Sequence, residues 1–274
     1  MLKEIFNISE YPSLDQQGNS SFIQKIATIL KTYGLIFLCL ILSGWLSVWV
    51  EYFVTHSLHF KSIQKQYSKT FEEQFKKTGI AWGMIYICLI GPIMEETVFR
   101  LPLSLKRVHV AICIAIAFFM FGNVIPFVKN LSHLLGKGFA LGIRVAVILA
   151  IYFVVVQLIP KGLEISDKLK KRIIITSMCL FALMHIANFI PLQWSLIWVY
   201  PIYVLPQFFM GWGITYVRFK HGFVWGIVLH CLINSVSMSF YATSLSSRTK
   251  HLHPVVDSAA KHKPGQTPKS VTTD

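Results

Sequence analysis

The chain has few charged residues for its length. Charged side chains make up 14% of its 274 residues, and only 12 residues are Asp or Glu. An average soluble domain is about one quarter charged. The mean hydropathy is also high, at +0.57. These values exclude an ordinary water-soluble domain and place the chain in the membrane class.

Motifs of several enzyme and transport classes are absent. The five cysteines all fall in apolar segments and none is spaced as CxxC, so we expect buried free thiols rather than a disulfide framework. HExxH is absent, which excludes the zincin metalloproteases. No internal repeat is visible, which argues against a transporter built from two related halves.

The positive net charge of +14 does not indicate nucleic-acid binding. Lys and Arg lie mostly in short connections, such as residues 161–172, and in the tails. Basic loops beside apolar spans are typical of membrane orientation and of contact with anionic headgroups. No basic stripe with interleaved aromatic residues is present. We therefore expect membrane lipid as a partner and no nucleic acid.

Long apolar runs predict the fold class. Each run is close to the ~20 residues needed to cross a bilayer core, and the shorter run Gly79–Met94 spans if its helix continues to about Leu105. We predict an all-α polytopic membrane protein with about seven to eight transmembrane helices and an intramembrane active-site cavity. The other runs are Tyr33–Val54, Val108–Val128, Phe139–Pro160, Ile173–Leu192, Trp194–Val217 and Phe223–Thr243.

Composition divides the chain into three parts. Residues 1–32 form a polar lead, and its end, Phe22–Leu30, is predicted to lie as an amphipathic segment on the membrane surface. Residues 33–244 form the transmembrane domain. Within it, the four-residue spacing of Tyr67, Phe71 and Phe75 predicts a short amphipathic helix. Residues 245–274, rich in Ser, Thr, Lys and Pro, are predicted to be a disordered basic tail.

Two adjacent acids, Glu95 and Glu96, interrupt the apolar helix predicted from Gly79 to about Leu105. Glu96 and Arg100 are four residues apart, so they share a helical face and are predicted to form an ion pair. Glu95 is rotated by about 100° from Glu96 and is left free for chemistry. The alternative is a simple interfacial cap at the end of a span. Charges at membrane depth are costly and are candidates for a functional site.

Two further spans carry polar side chains. Phe181 and His185 form an FxxxH pattern, and His230 and Asn234 share one face of the last apolar run. Hydrogen bonding between spans is the alternative explanation for each alone. Together with Glu95 they supply the parts for amide hydrolysis without a Ser or Cys nucleophile. Glu95 is the base, His185 shares the water or binds a metal, and His230 and Asn234 donate to an oxyanion.

The order EExxxR, FxxxH, HxxxN resembles the CPBP family of CAAX proteases and bacteriocin-processing proteins, also called Abi. This family includes the type II CAAX prenyl endopeptidases. The segments Gly211–Tyr216 and Gly222–Trp225 are similar to the family's approach to its third motif. The resemblance covers Gly79–Ala242. One departure is visible, because two extra apolar segments separate the first motif from the second.

The resemblance implies an intramembrane endopeptidase acting on a membrane-associated peptide or prenylated peptide, in a multi-pass protein of a bacterial inner membrane. A zinc ion held by Glu95, His185 and His230 and a metal-free glutamate mechanism are equally compatible with it. A catalytically silent scaffold, an immunity or secretion factor, and a proton-coupled transporter remain as alternatives. The implied catalytic residues are Glu95, His185, His230 and Asn234, with Glu96, Arg100 and Phe181 as supports.

Overall fold

The computed structural model describes residues 2–14, 20–121, 137–161 and 165–260, and this part of the chain forms helices and turns without a β-strand. The α-helices are α1 (Leu2–Phe6), α2 (Tyr11–Leu14), α3 (Phe22–Tyr52), α4 (Ile63–Thr78), α5 (Ile80–Ile85), α6 (Gly91–Phe99), α7 (Arg107–Phe121), α8 (Lys137–Leu158), α9 (Asp167–Met184), α10 (Tyr200–Tyr203), α11 (Leu205–His221) and α12 (Phe223–Ala260).

Several helices are long and apolar enough to cross a membrane, so the protein is an all-α integral membrane protein. Within the described ranges there are four such segments, Phe22–Ser57, Leu141–Leu158, Asp167–Phe189 and Phe223–Thr243. A fifth results if Ile63–Thr78 and Ile80–Ser104, bent by 115°, count as one span. The predicted seven to eight crossings are therefore not confirmed.

One predicted span differs from the helices observed, and a second is described only in part. The run Trp194–Val217 is broken into a 3₁₀ turn, α10 and α11, and Pro201 and Pro206 lie in the first turns of the two α-helices. Proline lacks a backbone N–H and disfavours helical geometry in the residue before it, so a helix starts at these positions rather than passing through them. Of the run Val108–Val128, the structure describes only the part in α7, which has 15 residues.

The helix that carries the paired acids follows a sharp bend. Gly79 ends α4 at a φ of +82°, a conformation that favours glycine. The chain then continues through α5, a π-helical turn at Tyr86–Ile90, α6 and a 3₁₀ turn at Leu101–Ser104. Leu105, at a φ of +59°, terminates this unit, which agrees with the predicted continuation to about Leu105.

The N-terminal lead packs into the core, which the sequence did not predict. Ile5, Tyr11 and Leu14 are buried in the same apolar cluster as α11. The Trp212 indole N–H donates to the Ile5 carbonyl at 2.9 Å, and the Tyr11 hydroxyl donates to the same oxygen at 2.6 Å. The segment Phe22–Leu30 is the uninterrupted beginning of α3, and its predicted location on the membrane surface stays a prediction.

Helix α11 is the centre of the molecule. Its residues Met210–Phe219 are all buried, and α3, α9 and α12 pack around it. Gly213 allows α3 to approach closely, since a Cβ atom there would lie 2.4 Å from Ile36 Cδ1. The site described below lies along this central helix.

The C-terminal tail is described only as far as Ala260. Helix α12 continues to that residue, and the predicted disorder of residues 245–274 stays a prediction. A sequence that is too polar to form a core can still extend an existing helix, because each added residue needs one backbone hydrogen bond and no new nucleus. Residues 261–274 of the predicted tail lie outside the described part of the chain.

Candidate active site

Three helical elements bring the candidate residues to one cavity. Glu95 comes from α6, His185 from the C-terminal end of α9, and His230 and Asn234 from the N-terminal third of α12. All four line a single cavity of about 950 Å³. The structure therefore brings together side chains that are up to 139 positions apart, from Glu95 to Asn234.

Glu96 forms the buried support of the site. Its Oε1 lies 3.3 Å from Arg100 Nη1, which is the ion pair expected from the spacing, and both side chains are at most 1% exposed. The same oxygen lies 2.8 Å from His230 Nδ1. Because a carboxylate only accepts, this contact assigns the hydrogen to Nδ1 of His230. The sequence did not predict this link between the first and third motifs.

Aromatic and hydroxyl groups complete the surroundings of Arg100. Its guanidinium carbon lies 3.9 Å from the centre of the Phe181 ring, which is a cation–π contact. Its Nε lies 3.5 Å from Thr215 Oγ1. Phe181, predicted as a support, thus contacts the buried guanidinium directly. The guanidinium and Glu96 are held together at the inner end of the site.

Glu95 has a different environment from its neighbour. Its side chain is 19% exposed, and its Oε2 lies 3.9 Å from His185 Nε2 and 3.7 Å from His230 Nε2. This oxygen has no hydrogen-bond partner among the described residues. The two acids thus lie in different environments, with Glu96 in a buried pair and Glu95 facing the cavity, and their separate roles stay a prediction.

His185 is oriented by the end of its own helix. Helix α9 changes to a 3₁₀ turn at His185, and Nδ1 lies 2.8 Å from the Phe181 carbonyl oxygen. A carbonyl accepts, so Nδ1 carries the hydrogen and Nε2 points toward Glu95. In neutral His185 and His230, both Nε2 atoms are then acceptors, and so is Glu95 Oε2. A water molecule has two O–H donors and can therefore satisfy two of these three acceptors.

Asn234 connects α12 to the π-helical turn before α6. Its Nδ2 donates to the Ile87 carbonyl at 2.8 Å. Ile87 lies in the π-helical turn Tyr86–Ile90, and turns of this kind occur frequently at functional sites. One amide N–H is used in this contact and a second is left. The predicted role of Asn234 as an oxyanion donor stays a prediction.

The described residues do not fit a bound metal ion. None of their His, Cys, Asp and Glu side chains form a group of three that could hold one. In a tetrahedral zinc site the ligand atoms lie about 3.3 Å apart, as the usual zinc–ligand bond lengths require. The nitrogen–oxygen distances from Glu95 to His185 and His230 are 3.9 and 3.7 Å. The zinc site proposed from the resemblance is thus not supported by this geometry.

An amphipathic helix forms one wall of the cavity. Tyr67, Phe71 and Phe75 of α4, whose spacing predicted an amphipathic helix, line the cavity. Their rings contact one another in sequence, with centroids 5.8 and 4.9 Å apart, and Phe71 also contacts the Tyr241 ring at 5.1 Å. The cavity therefore has polar reactive groups at one side and an aromatic wall on another.

Sequence reasoning missed two small residues that position the site. A Cβ atom at Gly211 would lie 2.7 Å from Arg100 Nη2 and 2.8 Å from Phe181 Cδ1, so only glycine leaves room for both. Thr215, one turn later, donates to the Gly211 carbonyl at 2.6 Å and contacts Arg100. The signal was the Gly-Trp-Gly-Ile-Thr segment, whose contacts cannot be inferred without the tertiary structure.

The comparison with known proteins agrees with this arrangement. A family model described as type II CAAX prenyl endopeptidase Rce1-like matches residues 77–236, a range that contains Glu95, His185, His230 and Asn234. No curated protein and no solved structure matches the chain.

Proposed function

The chain belongs to the type II CAAX prenyl endopeptidase Rce1-like family, and from this premise we propose that it hydrolyses a peptide bond of a membrane-associated peptide with a water molecule activated by Glu95 and His185. The single observation that carries this proposal is the approach of Glu95 Oε2 to the Nε2 atoms of two histidines in one cavity. Membership of the family supports peptidase activity in general, and the residue roles are our proposal.

The acceptor atoms around Glu95 support a specific first step. Water bound there donates one hydrogen bond to the carboxylate and one to His185 Nε2, so its lone pair is directed away from both. Glu95 takes one proton as the water oxygen attacks the carbonyl carbon of the scissile bond. Such a step needs neither a Ser nor a Cys nucleophile.

The remaining polar groups stabilise the negative charge that develops on the carbonyl oxygen. As the carbonyl oxygen becomes negative, the second N–H of Asn234 and a protonated His230 Nε2 donate to it. Glu96 Oε1, which lies 2.8 Å from His230 Nδ1 and 3.3 Å from Arg100 Nη1, fixes the orientation of that imidazole. Collapse of the intermediate breaks the C–N bond, and the proton held by Glu95 passes to the leaving amine.

The walls of the cavity support an apolar substrate. Its lining includes Phe71, Phe75, Trp82 and Met210 in addition to the reactive groups. Such walls suit a lipid chain or an apolar peptide segment entering from the bilayer. A prenylated peptide is our proposed substrate class, and a bacterial inner membrane is our proposed location.

A cleavage assay tests the proposed function. Detergent-solubilised protein is incubated with a prenylated peptide and with the same peptide lacking the prenyl group, each with and without a metal chelator. We expect a new carboxyl terminus in the prenylated peptide, released equally with and without chelator. Loss of cleavage on chelation, restored by added zinc, would contradict the metal-free mechanism. Cleavage of neither peptide would contradict the proposed substrate class.

A further inference from the structure

Gln207 is a polar residue of the cavity that the mechanism does not use. It lies in the first turn of α11, close to Pro206 and one turn before Met210, and all three line the cavity. Its Oε1 is buried and accepts no hydrogen bond from any residue in the described ranges.

Few side-chain oxygens of the cavity lining are both buried and without a hydrogen-bond partner. Among the described residues that line the cavity, only Glu95 and Gln207 have a buried side-chain oxygen without a hydrogen-bond partner. Glu95 Oε2 is the atom that we assign to the water. Buried polar groups are nearly always paired, because an unpaired one loses its hydration without compensation. Gln207 Oε1 therefore needs a donor from a molecule that enters the cavity.

The chemistry of that donor follows from the acceptor. A lipid chain has no N–H or O–H group, so it cannot satisfy an amide oxygen. A peptide in extended conformation carries one N–H per residue and must pair these groups when it leaves water. We propose that Gln207 binds a main-chain N–H of the substrate peptide and so fixes which carbonyl lies beside Glu95. This inference rests on the proposed function and adds the residue that sets the cleavage position.

A double-mutant cycle between protein and peptide tests the contact. The variant Gln207→Met removes the acceptor at nearly constant volume, and peptides N-methylated at one position each remove a single donor. Binding of the prenylated peptides is measured as Kd on the full chain carrying Glu95→Gln, so that no turnover interferes. One net hydrogen bond corresponds to a change of about tenfold in Kd.

For one position of N-methylation, we expect the Kd for the Glu95→Gln protein to be about tenfold higher than that of the unmethylated peptide. Adding Gln207→Met should not raise the Kd of this methylated peptide any further. As a matched control, Gln193→Met removes a glutamine that does not line the cavity and whose Nε2 donates to the Lys61 carbonyl at 3.0 Å. In that background the N-methylation should keep its full effect.

Each outcome decides one of the two proposals. Coupling at one peptide position supports the role of Gln207, even if the wild-type protein fails to cleave the peptide. Additive effects at every position, with cleavage by the wild-type protein, overturn the role of Gln207 and leave the proposed function intact. A peptide that is neither bound nor cleaved overturns both. A shift in cleavage position by Gln207→Met alone, in the protein with intact Glu95, would further support the role in register.

Discussion

At the scale of single residues, the adjacent acids Glu95 and Glu96 have opposite environments. Glu96 is buried in contact with Arg100 and His230, whereas Glu95, one residue earlier, faces the cavity. A helix makes this separation automatic, because neighbouring side chains differ by about 100° around its axis. These surroundings are the basis for proposing a structural role for Glu96 and a reactive role for Glu95.

Replacement of the buried acid should affect stability before chemistry. Glu96→Gln leaves the guanidinium of Arg100 without its counter-charge at a position that is 0% exposed. Breaking one partner of a buried pair costs about 3–5 kcal/mol. We expect a large drop in the thermal unfolding midpoint in detergent, whereas Glu95→Gln should unfold near the wild-type temperature. Equal midpoints for the two variants would contradict the assigned roles.

At the scale of elements, α11 positions the site through residues that have no reactive group. The face of α11 with Gly211 and Thr215 contacts Arg100, and the face with Trp212 and Tyr216 binds the N-terminal lead. The lead is therefore connected to the active site through a single helix.

A methyl group at the closest contact should disturb this helix. Gly211→Ala puts a Cβ atom against Arg100 and Phe181, and overpacking of this kind costs about 1–3 kcal/mol. Unfolding midpoint and cleavage rate should both fall. Gly44→Ala on α3 is the matched control, because its Cβ atom meets nothing within 4 Å. The control should be neutral or more stable by up to about 1 kcal/mol. Similar behaviour of both variants would disprove the role of Gly211.

The attachment of the N-terminal lead should depend on pH. Hydrogen bonds from Lys220 and then Tyr216 lower the pKa of Glu4 below 4.5. A lowered folded-state pKa adds stability above the unfolded-state value and loses it as the pH falls through the folded-state value. At pH values below 4.5, the unfolding temperature of the wild-type protein should therefore fall more steeply than that of Glu4→Gln. A difference between the two that is constant from pH 3 to pH 7 would exclude this contribution.

The sequence predicted the elements of the site better than their connections. Spacing paired Glu96 with Arg100 and placed Phe71 and Phe75 on one amphipathic face. The position of His185 inside an apolar run, together with the FxxxH pattern, made it a candidate site residue. It did not predict the contact of Glu96 with His230, because that contact joins residues 134 positions apart. It also failed for the lead, since Ile5, Tyr11 and Leu14 are isolated apolar residues whose burial depends on a surface formed by α11.

At the scale of the whole molecule, the two chain ends differ in their contribution to the fold. The lead contributes buried side chains to the core, whereas α12 leaves the apolar region before its polar extension begins. The number of membrane spans is the other feature of the whole molecule. The predicted seven to eight are not confirmed, and in the described part of the chain Pro201 and Pro206 divide an apolar run that hydropathy alone treats as continuous.

Truncation at the two ends should give opposite results. A chain ending at Ser244 lacks the predicted tail. It should keep its expression and its cleavage rate, and its free energy of unfolding should change by no more than about 0.5 kcal/mol. Removal of residues 2–14 deletes Ile5, Tyr11 and Leu14 from the core and should reduce the yield of folded protein strongly. A large loss of activity in the C-terminal truncation would show that the tail contacts membrane or substrate.

The cleavage rate of Glu95→Gln tests the central claim most directly. The variant keeps the size of the side chain and removes the base, a contribution of about 10²–10⁴ in rate. Glu73→Gln, at an exposed position of α4, is the matched control for the loss of one charge. With prenylated peptide as substrate, we predict normal cleavage by Glu73→Gln and at least about a hundredfold loss in Glu95→Gln, with both variants folded. A folded Glu95→Gln protein that cleaves at the wild-type rate would contradict the account.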